Sequence, residues 1–205
     1  MFYPECQMPT AYIALGANIP SLIGSPEATL SAALPKLGEL GDLIAISSFY
    51  RTAPVGFADQ PSFVNAAVAL QTTILPQSLL SCLLEIEILF GRDRSQGIPN
   101  GPRTLDLDLL LYGGFVLGTQ NLQLPHPRLV DRAFVLVPLA EIAPRLIHPR
   151  LAKTMSQLLQ ELPAYPKESS NGIRLPSPMA RLGASENAGH ENSADGPLAD
   201  PIQGR

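Results

Sequence analysis

Two aspartates near the middle of the chain have the residue type and the spacing of a metal-binding pair. Asp106 and Asp108 lie in the run GPRTLDLDLLLYG, residues 101–113, where they alternate with leucines. This period of two predicts a β-strand, in which residues two apart share a face and lie about 7 Å apart at the backbone. Such a pair suits Mg²⁺, which binds one or two carboxylates and completes its shell with water and substrate phosphates. Arg103 precedes the pair, and its planar guanidinium matches phosphate geometry, so the run predicts a phosphoryl-transfer centre.

The same Asp-x-Asp pattern is also typical of the solvated face of a half-buried sheet. Two features favour a site instead. The strand becomes wholly apolar after Asp108, as expected of a central strand that ends at a site. No lysine lies between residues 37 and 152, and arginine without lysine favours bidentate recognition of phosphate. The arginines that flank the pair are Arg92, Arg94, Arg103, Arg128 and Arg132.

Composition places the chain among ordinary globular proteins. Its 205 residues are 45% hydrophobic, enough for one domain with a sizeable core, and no apolar run is long enough to cross a bilayer. The first ten residues lack the basic and apolar regions of a signal peptide, and Cys6 and Cys82 do not make a disulfide framework. A net charge of −4 argues against a nucleic-acid binder. We therefore expect a cytoplasmic monomer with no membrane or nucleic-acid partner.

Periodicity and capping signals predict the elements that position the pair. Ser25-Pro26-Glu27 reads as a helix N-cap, a proline at the first helical position and an acidic first turn. The order is β α β β α β β α α, which favours an α+β sandwich with a mixed or antiparallel sheet and helices packed on it. The predicted strands are 12–15, 43–50, 63–73, the aspartate strand and 115–117. The first predicted helix begins at Pro26 and ends near Gly38 or Gly41, and the others are 76–90, 133–142 and 153–162.

The two ends of the chain differ from its middle. Residues 1–10 contain two prolines and no periodicity, which indicates a loose leader. From residue 163 onward prolines are frequent and no apolar face recurs. Such a segment cannot bury enough surface to offset its ordering entropy, so we predict a domain over 11–162 and a disordered tail over 163–205.

The chain lacks both the P-loop and the G-x-G-x-x-G signature, yet five blocks in order resemble one known family. The blocks are YIALGAN, SSFYRTAPVGFADQPSFVNAAV, FGRDR, GPRTLDLDLL and LPHPRLVDRAFVLVPLAEIAP. Together they resemble 6-hydroxymethyl-7,8-dihydropterin pyrophosphokinase of folate biosynthesis over Ala11 to Leu162. Asn100 stands where some members of that family have a tryptophan.

The resemblance implies a ferredoxin-like fold and transfer of the terminal diphosphate of ATP to the pterin hydroxymethyl group, with release of AMP. Two Mg²⁺ ions are implied at Asp106 and Asp108. The catalytic residues implied are Arg92, Arg94, Arg103, Asp106 and Asp108. The implied ATP contacts are Glu87, Arg92, Arg94, His126 and Arg132, and the implied pterin pocket is Thr52, Val55, Phe63, Asn65 and Phe134.

Elementary chemistry is consistent with parts of this assignment. The Asn65 amide can both donate to and accept from the edge of a pterin ring, and an aromatic slot suits a flat ring. Each aromatic residue could equally be core, and Phe63 at the start of a strand is the weaker of the two candidates. Two other functions remain open. One is a phosphatase of the haloacid dehalogenase type, although Leu110 stands where such enzymes have Thr or Val; the other is a non-catalytic nucleotide-sensing module.

Overall fold

The computed structural model describes residues 8–94, 100–162 and 173–175. Within these ranges, six strands form one sheet, two short strands form a hairpin, and four helices pack against the sheet. The strands are β1 (Thr10–Ala17), β2 (Asp42–Ile46), β3 (Phe49–Thr52), β4 (Phe63–Gln71), β5 (Asp106–Tyr112), β6 (Leu117–Gly118), β7 (Gln123–Leu124) and β8 (Ile173–Leu175). The helices are α1 (Pro26–Gly38), α2 (Pro76–Leu89), α3 (Ala133–Ile142) and α4 (Met155–Glu161).

Every pairing in the main sheet is antiparallel, in the order β5-β1-β4-β3-β8, and β2 also pairs with β4. The register brings three strands together at one point, because Gly16 of β1 lies opposite both Asn65 of β4 and Asp106 of β5. Two residues earlier in β1, on the same face, Ala14 lies opposite Ala67 of β4 and Asp108 of β5. The predicted α+β fold with an antiparallel sheet is confirmed.

Alternation along the strands separates two cores. One face carries residues such as Ile13, Leu15 and Leu107 and packs against α1 and α2. The opposite face carries Ala67 and Leu110, with helices α3 and α4 packed on it. Asp106 and Asp108 lie on the same face of β5 as Leu110, toward the start of the strand. The period of two therefore predicts the faces from Asp106 to Leu110 correctly, but an irregularity in the pairing with β1 places Leu111 in the second core and Tyr112 in the first.

Local signals explain where two helices begin. Ser25 caps α1 by accepting a hydrogen bond from the backbone N–H of Ala28, and Pro26 takes the first helical position, as predicted. Helix α4 starts with a capping box between Thr154 and Gln157. No helix within the described residues is long and apolar enough to span a membrane.

The strand predicted over residues 43–50 is divided in two. Ser47 and Ser48 interrupt it because their hydrogen bonds leave the regular ladder. The Ser47 hydroxyl donates to the carbonyl of Ser48 and accepts from the backbone N–H of Ala67, while the N–H of Ser48 donates to Glu141. Serine side chains compete with backbone partners in this way, and an apolar pattern does not reveal it.

The C-terminal segment differs in part from its prediction. Residues 173–175 form β8, which extends the sheet by pairing with β3, although this segment was predicted to be disordered. Backbone pairing at a sheet edge needs no apolar face, and an apolar face was the signal on which the prediction depended. The rest of the predicted tail, together with residues 1–7 of the predicted leader, lies outside the described residues.

Candidate active site

A cleft of about 260 Å³ opens above the point where β1, β4 and β5 meet. Its floor is open because the central strand contributes only the small residues Ala14 and Gly16 between Asn65 and the two aspartates. A Cβ atom at Gly16 would lie 3.1 Å from the Asn65 side-chain oxygen, so glycine keeps this amide accessible. The lining residues are Ala14, Leu15, Gly16, Thr52, Ala53, Val55, Gly56, Phe63, Asn65, Asn100, Arg103, Asp106, Asp108, Arg128, Asp131, Arg132, Phe134 and Val135.

Asp106 lies between two arginines. Its Oδ1 accepts a short hydrogen bond from Nη1 of Arg92, and the same nitrogen donates to the carbonyl of Leu105 at 2.8 Å. Its Oδ2 lies 3.0 Å from Nε of Arg103. The three side chains are each about one-fifth exposed or less, so their attraction is only partly screened by water.

Asp108 is in a less favourable electrostatic environment. Burial, together with the neighbouring Asp106 carboxylate, raises the pKa of Asp108, and nearby positive charges only partly offset this. Its Oδ2 forms an ion pair with Arg132, whose Nη1 lies 3.7 Å away. Burial also lowers the pKa of the nearby His126, while the charge of Asp108 acts against that shift. A cation bound beside Asp106 and Asp108 would therefore stabilise their charged carboxylates.

Arg103 is positioned through its backbone. Its N–H donates to Oδ1 of Asn18 at 2.8 Å, and its carbonyl accepts from the N–H of Asn18 at 3.0 Å. Its guanidinium lies over the Phe63 ring at 4.7 Å from the ring centroid, a cation–π contact. Among the described residues its buried Nε has Asp106 as an ion-pair neighbour but no hydrogen-bond partner of good geometry.

Glu87 lies behind β5 and not in the cleft. It is 1% exposed, and its Oε1 accepts from the backbone N–H of Leu107 at 2.8 Å. Its Oε2 accepts two hydrogen bonds from Arg94, at 2.6 and 2.9 Å, and Arg92 lies 3.6 Å away. Burial raises the pKa of Glu87 despite these partners. Both of its oxygens are thus engaged within the protein, and the ATP contact of Glu87 stays a prediction.

The other end of the cleft is formed by an amide, a hydroxyl and aromatic rings. Asn65 is 6% exposed, and its Nδ2 donates to Oγ1 of Thr52 at 2.8 Å. The Thr52 hydroxyl then has its own proton to donate, and the Asn65 oxygen faces the space above Gly16. Phe134 lies under the guanidinium of Arg132, 5.4 Å from ring centroid to Cζ. This end can recognise a flat polar ring.

The structure brings most of the predicted site residues into one place. Nine line the cleft: Thr52, Val55, Phe63, Asn65, Arg103, Asp106, Asp108, Arg132 and Phe134. The other four lie around it, connected through the aspartates and each other: Glu87, Arg92, Arg94 and His126. Residues 95–99, between Arg94 and Asn100, lie outside the described residues.

Some lining residues were not predicted for the site. Asp131 lies one residue before Arg132, and Asn100 lies close to Gly56 at the cleft mouth. Asn100 has a φ of 58°, an uncommon conformation in which asparagine is enriched, and its carbonyl accepts from Gln60. Arg128 was noted only as part of the arginine cluster. The Leu-Pro-His-Pro-Arg run could have indicated it, since extended loops between prolines often present side chains to ligands.

The donor set fits a hard divalent cation. Within the described ranges no three His, Cys, Asp or Glu side chains are arranged to hold a metal by themselves. Mg²⁺ does not require such a cage, since it binds through one or two carboxylates plus substrate phosphates. Asp106 and Asp108 supply such a pair, and burial together with the Asp106 charge raises the pKa of Asp108, so a nearby cation would favour its charged form.

The fold and the cleft define a ferredoxin-like α+β protein with an acidic and arginine-rich site. The chain matches the family model described as 7,8-dihydro-6-hydroxymethylpterin-pyrophosphokinase (HPPK) over residues 12–144. It is 43% identical over 157 residues to the 2-amino-4-hydroxy-6-hydroxymethyldihydropteridine pyrophosphokinase of Haemophilus influenzae, covering 76% of this chain and 91% of that protein. It is 44% identical over 134 residues to the Bacillus subtilis protein of the same name, covering 64% of this chain and 77% of that protein. The chain belongs to the HPPK family.

Solved structures agree on the fold. The crystal structure of Plasmodium falciparum HPPK-DHPS is similar to this chain with a TM-score of 0.59 at 17% identity. The similarity covers 75% of this chain and 44% of that chain. At this identity the likeness supports the ferredoxin-like architecture and leaves the chemistry to be argued from the cleft.

Proposed function

We propose that this protein transfers the terminal diphosphate of ATP to the hydroxymethyl group of 6-hydroxymethyl-7,8-dihydropterin, releasing AMP, in folate biosynthesis. One observation carries the proposal: a single cleft joins a carboxylate pair flanked by arginines to an amide-and-aromatic pocket. The first end suits a polyphosphate with its metal, and the second suits a flat heterocycle. Membership of the HPPK family supports the same assignment.

The pterin end would be read by Asn65 and Thr52. A pterin presents an amide-like edge with both donors and acceptors, and the Asn65 side chain supplies both. The hydrogen bond from Asn65 to Thr52 holds the amide in one orientation, so its oxygen is directed to the cleft. Phe134 and Phe63 would contact the ring, with Val55, 48% exposed, at the rim.

The phosphate end would be held by arginines. Arg103 and Arg132 line the cleft, and Arg92 stands behind Asp106 as a further positive group. Their guanidinium groups can bind phosphate oxygens with two parallel hydrogen bonds and stabilise negative charge that develops during transfer. Arg94 would join them only by leaving Glu87, with which it is paired here.

His126 would donate one hydrogen bond to a phosphate oxygen. Its Nδ1 accepts from the backbone N–H of Arg128 at 3.1 Å, so in the neutral ring the proton lies on Nε2. The lowered pKa of His126, caused mainly by burial, favours that neutral form. This geometry makes Nε2 a donor whose orientation the backbone fixes.

HPPK relatives use ATP, which implies a divalent metal, and we propose two Mg²⁺ ions held by Asp106 and Asp108. When bound, the metal would neutralise phosphate charge and draw the triphosphate into line with the hydroxymethyl oxygen. The carboxylates already share one face of β5, so holding such ions requires no rearrangement of the strand. Asp106 would at the same time keep Arg92 and Arg103 beside the phosphates.

The proposed compartment is the cytoplasm, where thiols such as that of Cys82 stay reduced, and the proposed working form is a monomer. The reaction is tested by incubating the protein with ATP, Mg²⁺ and the hydroxymethyl pterin and separating the nucleotides. AMP formed only when the pterin is present supports the proposal. ADP or free phosphate would indicate the chemistry of a simple kinase or phosphatase, and binding without turnover would indicate a sensing module.

A further inference from the structure

Glu141, near the end of α3, connects that helix to the break between β2 and β3. Its Oε2 accepts hydrogen bonds from the backbone N–H of Ser48 at 2.9 Å and from the hydroxyl of Tyr50 at 2.8 Å. Its Oε1 accepts from the hydroxyl of Ser48 at 2.8 Å. Hydrogen bonds to a carboxylate are stronger than those between neutral groups. One side chain thus joins α3 to the residue before β3 by two hydrogen bonds and to β3 itself by one.

The bridge answers a need created by the strand break. Ser48 is 3% exposed, and its N–H lies where β2 has ended and β3 has not begun. A buried N–H without a partner is costly, and Glu141 supplies that partner from a helix 93 positions later in the chain. Apolar packing is non-directional and does not by itself fix the orientation of α3 on the sheet. Hydrogen bonds have preferred distances and angles, so those of Glu141 restrict that orientation.

Both connected elements contribute to the lining of the cleft, and we call their lining residues the Thr52 wall and the Phe134 wall. Strand β3 ends at Thr52, which lines the cleft and binds Asn65. Helix α3 carries Phe134 in its first turn, on the other wall. Glu141 lies about two turns further along the same helix, a distance of about 10 Å at 1.5 Å per residue. A bridge at that end of α3 therefore sets the direction in which Phe134 is presented.

We propose that Glu141 is a positioning residue that sets the separation of the Phe134 and Thr52 walls and hence the affinity for the pterin. This rests on the proposed function for the identity of the ligand. Glu141 does not line the cleft, so it acts through the two walls and not by contact with a substrate.

The test measures pterin affinity in Glu141→Ala by calorimetry, with a non-hydrolysable ATP analogue present, and KM values for both substrates. We expect the pterin Kd and KM to rise about tenfold while the KM for ATP stays within about twofold, since only the pterin is held between the two walls. Tyr50→Phe removes one of the three bonds and should give a rise of about two- to threefold. This milder variant serves if Glu141→Ala folds poorly.

Glu161→Ala is the matched control, because Glu161 is a surface carboxylate on the neighbouring helix α4, paired with Lys153. Equal pterin affinity in Glu141→Ala and Glu161→Ala, in a wild-type protein that produces AMP, would overturn the positioning role. If the wild type neither binds the pterin nor produces AMP, the proposed function fails instead. Hydrogen exchange then decides the role of Glu141: faster exchange at residues 49–52 and 133–136 than in Glu161→Ala supports the bridge, and equal exchange overturns it.

Discussion

Replacing Asp108 by asparagine should lower activity strongly and raise stability at neutral pH. Asparagine keeps the size of the side chain and one carbonyl oxygen, so the substitution removes little besides the charge. That charge serves the proposed metal site, yet burial and the nearby Asp106 make it unfavourable in the folded protein. The two effects therefore have opposite signs, which a general loss of folding cannot imitate.

The expected loss of activity follows from the strength of one charge interaction. At about 4 Å and an effective dielectric constant of about 20, two unit charges attract by about 4 kcal/mol. Each 1.4 kcal/mol corresponds to about a tenfold change in rate. Asparagine still offers an oxygen to the metal, so part of this attraction is retained. We therefore expect kcat/KM to fall about 10²- to 10³-fold.

The stability effect depends on pH with a definite sign. The pKa of Asp108 is raised in the folded protein, so the folded state holds this proton more tightly than the unfolded state does. Stability is therefore lost as the pH rises from about 4 through the folded pKa, and it remains lower at neutral pH. Asparagine does not ionise, so the Tm of Asp108→Asn should exceed that of the wild type at pH 7.5 and approach it near pH 4.

The assay combines AMP release with thermal melts at both pH values in the absence of added metal. Asp42→Asn is the control, since Asp42 is an exposed carboxylate at the start of β2. It should change neither activity nor the pH dependence of the Tm. Near-normal activity of Asp108→Asn would refute the metal-site assignment, and a lower Tm at pH 7.5 would refute the electrostatic argument.

Three further predictions follow from other contacts. His148 is 5% exposed, its Nδ1 accepts from two backbone N–H groups at 3.3 Å, and burial lowers its pKa. The unfolded chain then binds this proton more readily, so stability should fall as the pH drops below about 6.5. In His148→Asn the free energy of unfolding, measured with urea, should depend less on pH between pH 7 and pH 5 than in the wild type. An unchanged pH dependence would contradict the role given to His148. Deletion of 168–205 removes β8 and should lower the Tm by about 2–4 °C relative to deletion of 181–205, as about 1 kcal/mol does in a domain of this size; equal Tm values would show that β8 adds no stability. Arg103→Lys keeps the charge but loses the planar fork over Phe63, so kcat/KM should fall at least about tenfold, and wild-type kinetics would argue against bidentate phosphate binding.

Features that depend on local pattern could be predicted from the sequence. The faces of Asp106 and Asp108 follow from alternation with leucine, because a strand can present only two faces. Asn65 was recognisable as a polar residue within an apolar strand, which needs a partner when buried, and Thr52 supplies it. The start of α1 at Ser25 and Pro26 follows from capping chemistry alone.

Features that depend on distant partners could not be predicted. The break at Ser47 and Ser48 is held by Glu141, and nothing near the serines in sequence indicates that partner. Glu87 lies on the buried face of α2, where a carboxylate is unexpected, and its burial depends on Arg94 and the N–H of Leu107, which the helical pattern does not reveal. Strand order and register also depend on long-range pairing, and the small size of Gly16 becomes meaningful only when Asn65 and Asp106 are known to flank it.

The most direct test of the account follows the atoms of the transfer. The pterin is prepared with ¹⁸O in its hydroxymethyl group, the reaction is run with ATP and Mg²⁺, and the products are examined by ³¹P NMR and mass spectrometry. The account predicts equal amounts of AMP and of a pterin diphosphate, whose two phosphorus resonances are coupled. The ¹⁸O should be retained between the carbon and the inner phosphorus. ADP with a pterin bearing a single phosphorus, or loss of the label from the pterin, would contradict it.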